Sequence, residues 1–298
     1  MNRFRSFKAG KISLLLASGC LLFCGCSHAA SSPKDSGSAS VLEAKNSSFQ
    51  NSQASTSSTA GPVSDVPDAI QQAAPEQIVS VDGLDETQIR NSFYAMPVSE
   101  QLVEAMDGDF YSSKQSFIRP EDLRLVRVLY TDFDGNTKVG ELIVNQLIED
   151  DVEEIFYELY KNGYPIQRLI LPYGYYADDN AIMKDGISRA LAFTWDENNQ
   201  PMEHEHSLGL AIDLNSLYNP QVIVNEDGTT TILPPEAEPY ADRSVLQPHM
   251  MDENDLAVRL FKEHGFTWGG EWEGRNDYQH FEKDFNHDTG HLDPSMNP

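Results

Sequence analysis

Beyond position 26 the sequence has no cysteine, since Cys20, Cys24 and Cys26 are the only three it carries. That excludes a disulfide framework or a thiolate metal site in the rest of the chain, which must stand on its hydrophobic core. Basic side chains are also scarce. Against 47 acidic residues stand 21 basic ones, for a net charge of −26, and four of the 21 (Arg3, Arg5, Lys8 and Lys11) fall in the first 26 residues, leaving 17 for the remainder. A chain so acidic repels phosphate backbones and anionic headgroups, so nucleic acid is excluded as a partner. No internal repeat with a period of about 20–50 residues occurs, which excludes a solenoid. The apolar run from Ile12 to Phe23 is shorter than the roughly 20 residues a membrane span needs.

That run follows a basic start and precedes small residues, the layout of an export signal over residues 1–26. Leu22-Phe23-Cys24-Gly25-Cys26 resembles a bacterial lipobox with Cys26 as the lipidated residue; cleavage after Ala29 is the competing reading. Residues 27–85 are dominated by Ser, Ala, Asn, Gln, Thr and Pro, a composition with too little apolar surface to offset the entropy of ordering. They are expected to be a disordered linker tethering a domain of residues 86–298 to an extracytoplasmic membrane surface.

Within that domain, Leu123 to Tyr130 and Val139 to Val144 read as two strands joined by turn chemistry at Asp134-Gly135. Asp132, Asp134 and Asn136 mimic a calcium loop, but Thr137 stands where such a loop needs Gly and Ile143 where it needs Glu, so calcium is rejected. Ile148, Val152, Ile155, Phe156, Leu159 and Tyr160 recur at helical spacing, with Asn162-Gly163 as the stop. Ile166 to Leu171 reads as a short buried strand, and a second helix is expected from about Asp252 to His264, ended by Gly265.

The chemistry concentrates in two stretches, Glu203 to Asn215 and Asp277 to Glu282. His206 and Asp213 are seven positions apart, an odd number that would put them on opposite faces of one straight strand. A bend is required, and Gly209 is the residue able to supply it. After it, Leu210, Ile212 and Leu214 would face the core, while Ala211 and Asp213 would face a site. His280 can project into the same cleft while Phe281 anchors its strand. Two His and one Asp offer three protein ligands and leave a position for water, as expected of a catalytic zinc. Asp277 is then the candidate general base. His204 is a competing ligand, whereas His264 reads as a helix C-terminal cation, His249 as a loop residue, and His287 and His291 as part of a polar tail.

These stretches resemble the M15 family of zinc peptidases, whose Ser-x-His-x-x-Gly-x-Ala-x-Asp signature is matched by His206, Gly209, Ala211 and Asp213 and whose second signature is matched by Asp277 and His280. Gly265 to Trp272, Asn219-Pro220 and Tyr240 to Ser244 look like the D-alanyl-D-alanine carboxypeptidase branch. The resemblance spans roughly residues 90–285. It implies an α+β fold like that of the Hedgehog signalling domain and the DD-peptidases, a small antiparallel sheet with packed helices. It implies Zn2+ on His206, Asp213 and His280, with Asp277 as the base. His204 stands where the family has Ser. Relatives also carry an oxyanion-steadying Arg ahead of the first motif; Asp179 and Met183 fit that upstream pattern, but the Arg position falls on Thr194, leaving Arg189 five residues away. Arg189 is a substrate-binding candidate on that basis, and Trp268 and Trp272 are candidates for the cleft wall, with buttressing of His280 from behind as the plainer reading.

The expected function is a monomeric, surface-anchored zinc peptidase acting on peptidoglycan stem peptides, foremost as a D-alanyl-D-alanine carboxypeptidase. The alternatives are an L-Ala-D-Glu type endopeptidase and a non-catalytic wall-binding lipoprotein that keeps the metal site. A non-haem iron oxygenase ranks last, because such sites read His-x-Asp rather than the spacing found here.

Overall fold

Strong local signals set the largest elements. In the computed structural model, residues 65–196, 198, 200–286 and 291–292 are described. In chain order they form helix α1 (Asp68–Gln71), helix α2 (Glu86–Arg90), strand β1 (Tyr94–Pro97), helix α3 (Glu100–Met106), strands β2 (Leu123–Thr131) and β3 (Thr137–Asn145), and helix α4 (Glu149–Lys161). Strand β4 (Arg168–Leu169), helix α5 (Asp179–Lys184) and strands β5 (Ile187–Ser188), β6 (Thr194–Trp195), β7 (Pro201–Met202), β8 (Ala211–Asp213), β9 (Gln221–Val224) and β10 (Thr230–Leu233) follow. Helix α6 (Leu256–Glu263) and strands β11 (Thr267–Trp268), β12 (Arg275–Asp277), β13 (His280–Glu282), β14 (Phe285–Asn286) and β15 (His291–Leu292) complete the order. The class is α+β. Among the described residues the antiparallel structure is divided into three sheets of three strands each, β1-β2-β3, β10-β9-β12 and β11-β13-β8, with further two-stranded pairs.

The β2–β3 hairpin forms where its alternation and its Asp134-Gly135 turn place it. Asp132 Oδ1 accepts the backbone N–H groups of Asp134 and Asn136 at 3.0 and 2.8 Å, and Lys138 closes on Oδ2 at 2.9 Å. The acidic group read as a false calcium loop is therefore an Asx turn. Helix α4 lays Val152, Ile155, Phe156 and Leu159, each at most 1% exposed, on the sheet. Each such burial contributes roughly 1.5–3 kcal/mol relative to exposure. Helix α6 begins at Leu256 rather than Asp252, because the Asp255 side chain accepts the Ala257 N–H at 2.8 Å and caps the first turn there. Only Arg168–Leu169 of the strand expected over Ile166 to Leu171 pairs, parallel to Ile187–Ser188.

The linker boundary at residue 85 needs correction. Val66, Ile70, Ala73 and Val79 are buried in the main core. Residues 76–79 run along the edge of β3, with Glu76 N–H donating to Val139 O at 2.8 Å and Val79 N–H to Thr137 O at 3.0 Å. Arg168 clamps Glu76 with two bonds of 2.7 and 2.9 Å. Composition concealed this because a single edge strand needs few apolar residues when a preformed hairpin supplies the rest of the surface. Residues 1–64, with the expected export signal, Cys26 and most of the linker, lie outside the described residues, as does His287. Among the described residues no helix is long and apolar enough to cross a membrane.

An aromatic column backs the strand that matters most for the site. Phe281 of β13 stacks on Phe261 of α6 with ring centroids 4.1 Å apart, and Phe261 meets Phe156 of α4 edge-on at 6.5 Å. Leu210, Ile212 and Leu214 are fully buried on the same side.

Candidate metal centre

The bend demanded by the parity of His206 and Asp213 is a 3-10 turn, Glu205–Leu208, closed by Gly209 in the left-handed conformation at φ 67°. A side chain at Gly209 would be strained there, and its Cβ would lie 2.8 Å from the backbone nitrogen of Asn145. The turn delivers His206, and β8 then delivers Asp213. Strand β13 lies beside β8 in antiparallel register, with His280 directly opposite Asp213 and Phe281 opposite Ile212. Residues opposed across a ladder point to one face, so the pairing of two residues 67 positions apart places both donors together while Phe281 faces the core.

His206 Nε2, Asp213 Oδ1 and His280 Nδ1 form a nearly equilateral triangle, with edges of 3.1, 3.1 and 3.2 Å. Bonds of about 2.0–2.1 Å at tetrahedral angles put donor atoms roughly 3.3 Å apart, so the triangle fits one face of a zinc coordination sphere. The tautomers agree. His206 Nδ1 lies 2.6 Å from the carbonyl oxygen of Ala190, and His280 Nε2 lies 2.8 Å from Glu282 Oε2; neither oxygen can donate, so each of those nitrogens carries the proton. Two ring lone pairs and a carboxylate oxygen are thereby turned on one another, an arrangement that repels itself unless positive charge sits among them. The three residues can hold a metal ion, and all three are buried.

The electrostatics point the same way. Burial opposes charge on Asp213, but His206, His280 and Arg189 outweigh it and hold its carboxyl well below the usual range. Burial likewise disfavours charging His280, yet its hydrogen bonds to Asp213 and Glu282 raise it to about 10. The triangle is stabilised by positive charge, which a proton on His280 Nδ1 supplies with no ion bound and a metal ion would supply in its place.

Asp277 ends β12, opposite Gln221 of β9. Burial pushes its carboxyl up to about 6, with Asp213 adding to the rise and His280 opposing it. Gln221 Nε2 donates to Oδ2 at 2.6 Å and Gln279 Nε2 to Oδ1 at 3.3 Å.

The other expected site residues are placed differently. Arg189 is 6% exposed, and its guanidinium engages Asp213 and Asp179 rather than standing free for a substrate. Trp268 is 3% exposed and donates its indole N–H to the Tyr278 carbonyl at 2.9 Å, so it is a core residue steadying the β12–β13 turn. Trp272 lies beside the His280 ring, centroids 5.3 Å apart. His204 does not join the triangle: its Nε2 meets Thr194 Oγ1 at 2.8 Å, and burial, aided by His206, lowers it to about 4, so it is neutral at ordinary pH. His249 stacks on Phe133 at 3.6 Å, and His264 caps α6 against Asp151 at 3.0 Å. Glu282, Gln221, Gln279 and the Ala190 carbonyl were given no role by sequence reasoning. The alternation of β13, which sets Glu282 on the face of His280, was the only signal for any of them.

A family model described as D-alanyl-D-alanine carboxypeptidase matches residues 198–283. This segment is similar to the M15 peptidases. The match contains His206, Asp213, Asp277, His280 and Glu282, whereas Arg189 and Asp179 precede it. No curated protein and no solved structure matches the chain. The M15 segment therefore carries the whole triangle together with the candidate base.

Proposed function

We propose that the protein is a zinc-dependent peptidase of peptidoglycan stem peptides, most directly a D-alanyl-D-alanine carboxypeptidase, built on the α+β fold of the Hedgehog and DD-peptidase type. The observation that carries the reading is the triangle of His206 Nε2, Asp213 Oδ1 and His280 Nδ1 with its tautomers set by Ala190 and Glu282. When bound, zinc would polarise the scissile carbonyl and acidify water. His206 and His280 present lone pairs to it, and Asp213 presents one oxygen. Asp277 takes the proton from the attacking water and later delivers it to the leaving amine. Gln221 and Gln279 hold its two oxygens, which leaves the carboxylate little freedom to rotate. Trp272 stands at the flank of His280, a position suited to packing against the substrate.

The setting proposed for this activity is extracytoplasmic, on a lipid anchor at Cys26, with residues 27–64 as the tether. A second reading, metal and peptide binding without turnover, draws support from Arg189, whose bonds to two carboxylates leave the oxyanion-steadying role unassigned. Both are tested by incubating zinc-loaded protein and its Asp277→Ala variant with pentapeptide muropeptides and analysing the products by mass spectrometry. Release of D-alanine by the wild type alone supports the carboxypeptidase, and an internal cut supports the endopeptidase. Binding without any product supports the second reading. Equal turnover by Asp277→Ala sinks the assignment of the base.

A further inference from the structure

Asp213 is gripped from both edges of its strand. On one side it faces His280 across the ladder; on the other it exchanges two backbone hydrogen bonds with Arg189, from Arg189 N–H to Asp213 O at 3.0 Å and from Asp213 N–H to Arg189 O at 2.8 Å. Opposed residues share a face, so Arg189, Asp213 and His280 form a single lateral row across three neighbouring segments. Within that row the Asp213 oxygens are divided. Oδ1 faces both imidazoles at 3.1 and 3.2 Å, while Oδ2 accepts Arg189 Nε at 3.3 Å. The other arm of the guanidinium, Nη1, reaches Asp179 Oδ1 at 2.6 Å, at the start of α5.

We propose that Arg189 is a positioning residue that makes Asp213 a one-oxygen metal ligand by occupying its second oxygen, and that Asp179 holds Arg189 to this role. This inference rests on the metal-dependent reading. A carboxylate free to turn about its terminal torsion can offer both oxygens to an ion, which raises the coordination number, weakens the ion as a Lewis acid and fills the position a substrate or water needs. A charge-assisted bond to a rigid, planar guanidinium prevents that turn. The fork geometry matters, because Nε and Nη1 leave the guanidinium in fixed directions and each meets a different carboxylate; a lysine, with one compact head, cannot serve both with the same geometry. The backbone of the same short segment completes the frame: the next carbonyl, Ala190 O, fixes His206, and Ala192 N–H donates to His206 O at 3.1 Å. Residues 189–192 thus set the attitude of two of the three ligands, although they precede the family-matched segment.

The test uses the full chain and its Arg189→Lys and Asp179→Asn variants, each checked for folding by circular dichroism. Zinc affinity is measured by competition with a chromophoric chelator, and the visible absorption of the cobalt(II) forms reports coordination number, four-coordinate cobalt absorbing far more strongly than five- or six-coordinate cobalt. For Arg189→Lys we expect zinc binding weaker by about 10–100-fold, the range typical of groups that orient metal ligands, together with a weaker cobalt spectrum. Asp179→Asn, which keeps the arginine, should move both readouts in the same direction by less. If Arg189→Lys does not fold, Asp179→Asn decides alone. Folded variants with wild-type zinc affinity and the wild-type cobalt spectrum overturn the positioning role and leave the metal reading intact. A wild-type chain that takes up neither ion overturns the metal reading and this proposal with it.

Discussion

Gln221 and Asp277 face each other across the β9–β12 pair, and the Gln221 side-chain amide donates to the Asp277 carboxylate at 2.6 Å. The bond crosses 56 residues of sequence and ties the candidate base to a different sheet from the one that carries His280. One oxygen of the base is therefore held from outside the sheet of His280, and the other by Gln279, the residue beside His280.

The pH dependence of activity follows from Asp277. Burial raises it to about 6, and only its ionised form accepts a proton, so kcat/KM should fall as pH drops below about 6. Asp277→Asn should remove this limb along with 10²–10⁴-fold of the rate, in the range typical of a lost general base. For stability the sign is opposite. A raised carboxyl favours the folded state below the ordinary aspartate value, near 4, and that contribution is lost as pH rises through about 6. Thermal melts should show a smaller drop in Tm between pH 4 and 7 for Asp277→Asn than for the wild type.

Glu282 should matter through His280. Glu282→Ala removes the acceptor of the His280 Nε2 proton, and zinc affinity is expected to drop by about 10–100-fold in chelator competition. Glu282→Gln, whose amide oxygen can still accept that proton, should lose less. Equal losses for the two variants would show that charge, not tautomer control, is the important property.

Gly209→Ala combines a left-handed backbone with a Cβ placed 2.8 Å from Asn145 N and 3.2 Å from the Val144 carbonyl carbon. The neighbours are backbone atoms and cannot swing aside. A loss on the order of 2–4 kcal/mol is expected in urea unfolding, from strain and overpacking together. A cost under about 0.5 kcal/mol would contradict the tight closure of the turn.

The corrected domain start gives a deletion test. A chain beginning at residue 86 lacks buried Val66, Ile70, Ala73 and Val79 and the strand edge at residues 76–79, so it should be insoluble or lose its cooperative melt. One beginning at residue 65 should melt like the full chain. Ile70→Ala in the full chain should cost about 2–4 kcal/mol.

The meeting of His206 with Asp213 was legible because it is local: His206, Asp213 and Gly209 fall in one stretch, and the odd spacing of the first two requires the turn that Gly209 closes. The β2–β3 hairpin and α4 were legible because their hydrophobic periods are long. Arg189 was misread for the opposite reason. Nothing in its neighbourhood of sequence shows that it lies beside Asp213, since that contact is created by strand pairing across 24 positions. The order of residues 65–85 was hidden similarly, although Asp85 and Gln88 do form a reciprocal helix-capping pair whose Asp-x-x-Gln pattern marks ordered chain just where the linker was expected to end. Trp268 admitted two readings, cleft wall or buttress behind His280, because an aromatic near a motif looks the same in sequence whether it faces the substrate or props up the strand; the structure places it as the buttress.

The lateral row through Asp213 bears on when a metal would arrive. His280 meets Asp213 through backbone pairing backed by the Phe281–Phe261 stack, forces that operate with no ion present. A pocket for an ion would then be a product of folding and not its cause, with a proton on His280 holding the donors together until an ion displaces it. Chelation should strip the protein without melting it, different divalent ions should exchange into the same folded chain, and the occupant in a given setting should be chosen by local supply and by the preference of two imidazoles and one carboxylate.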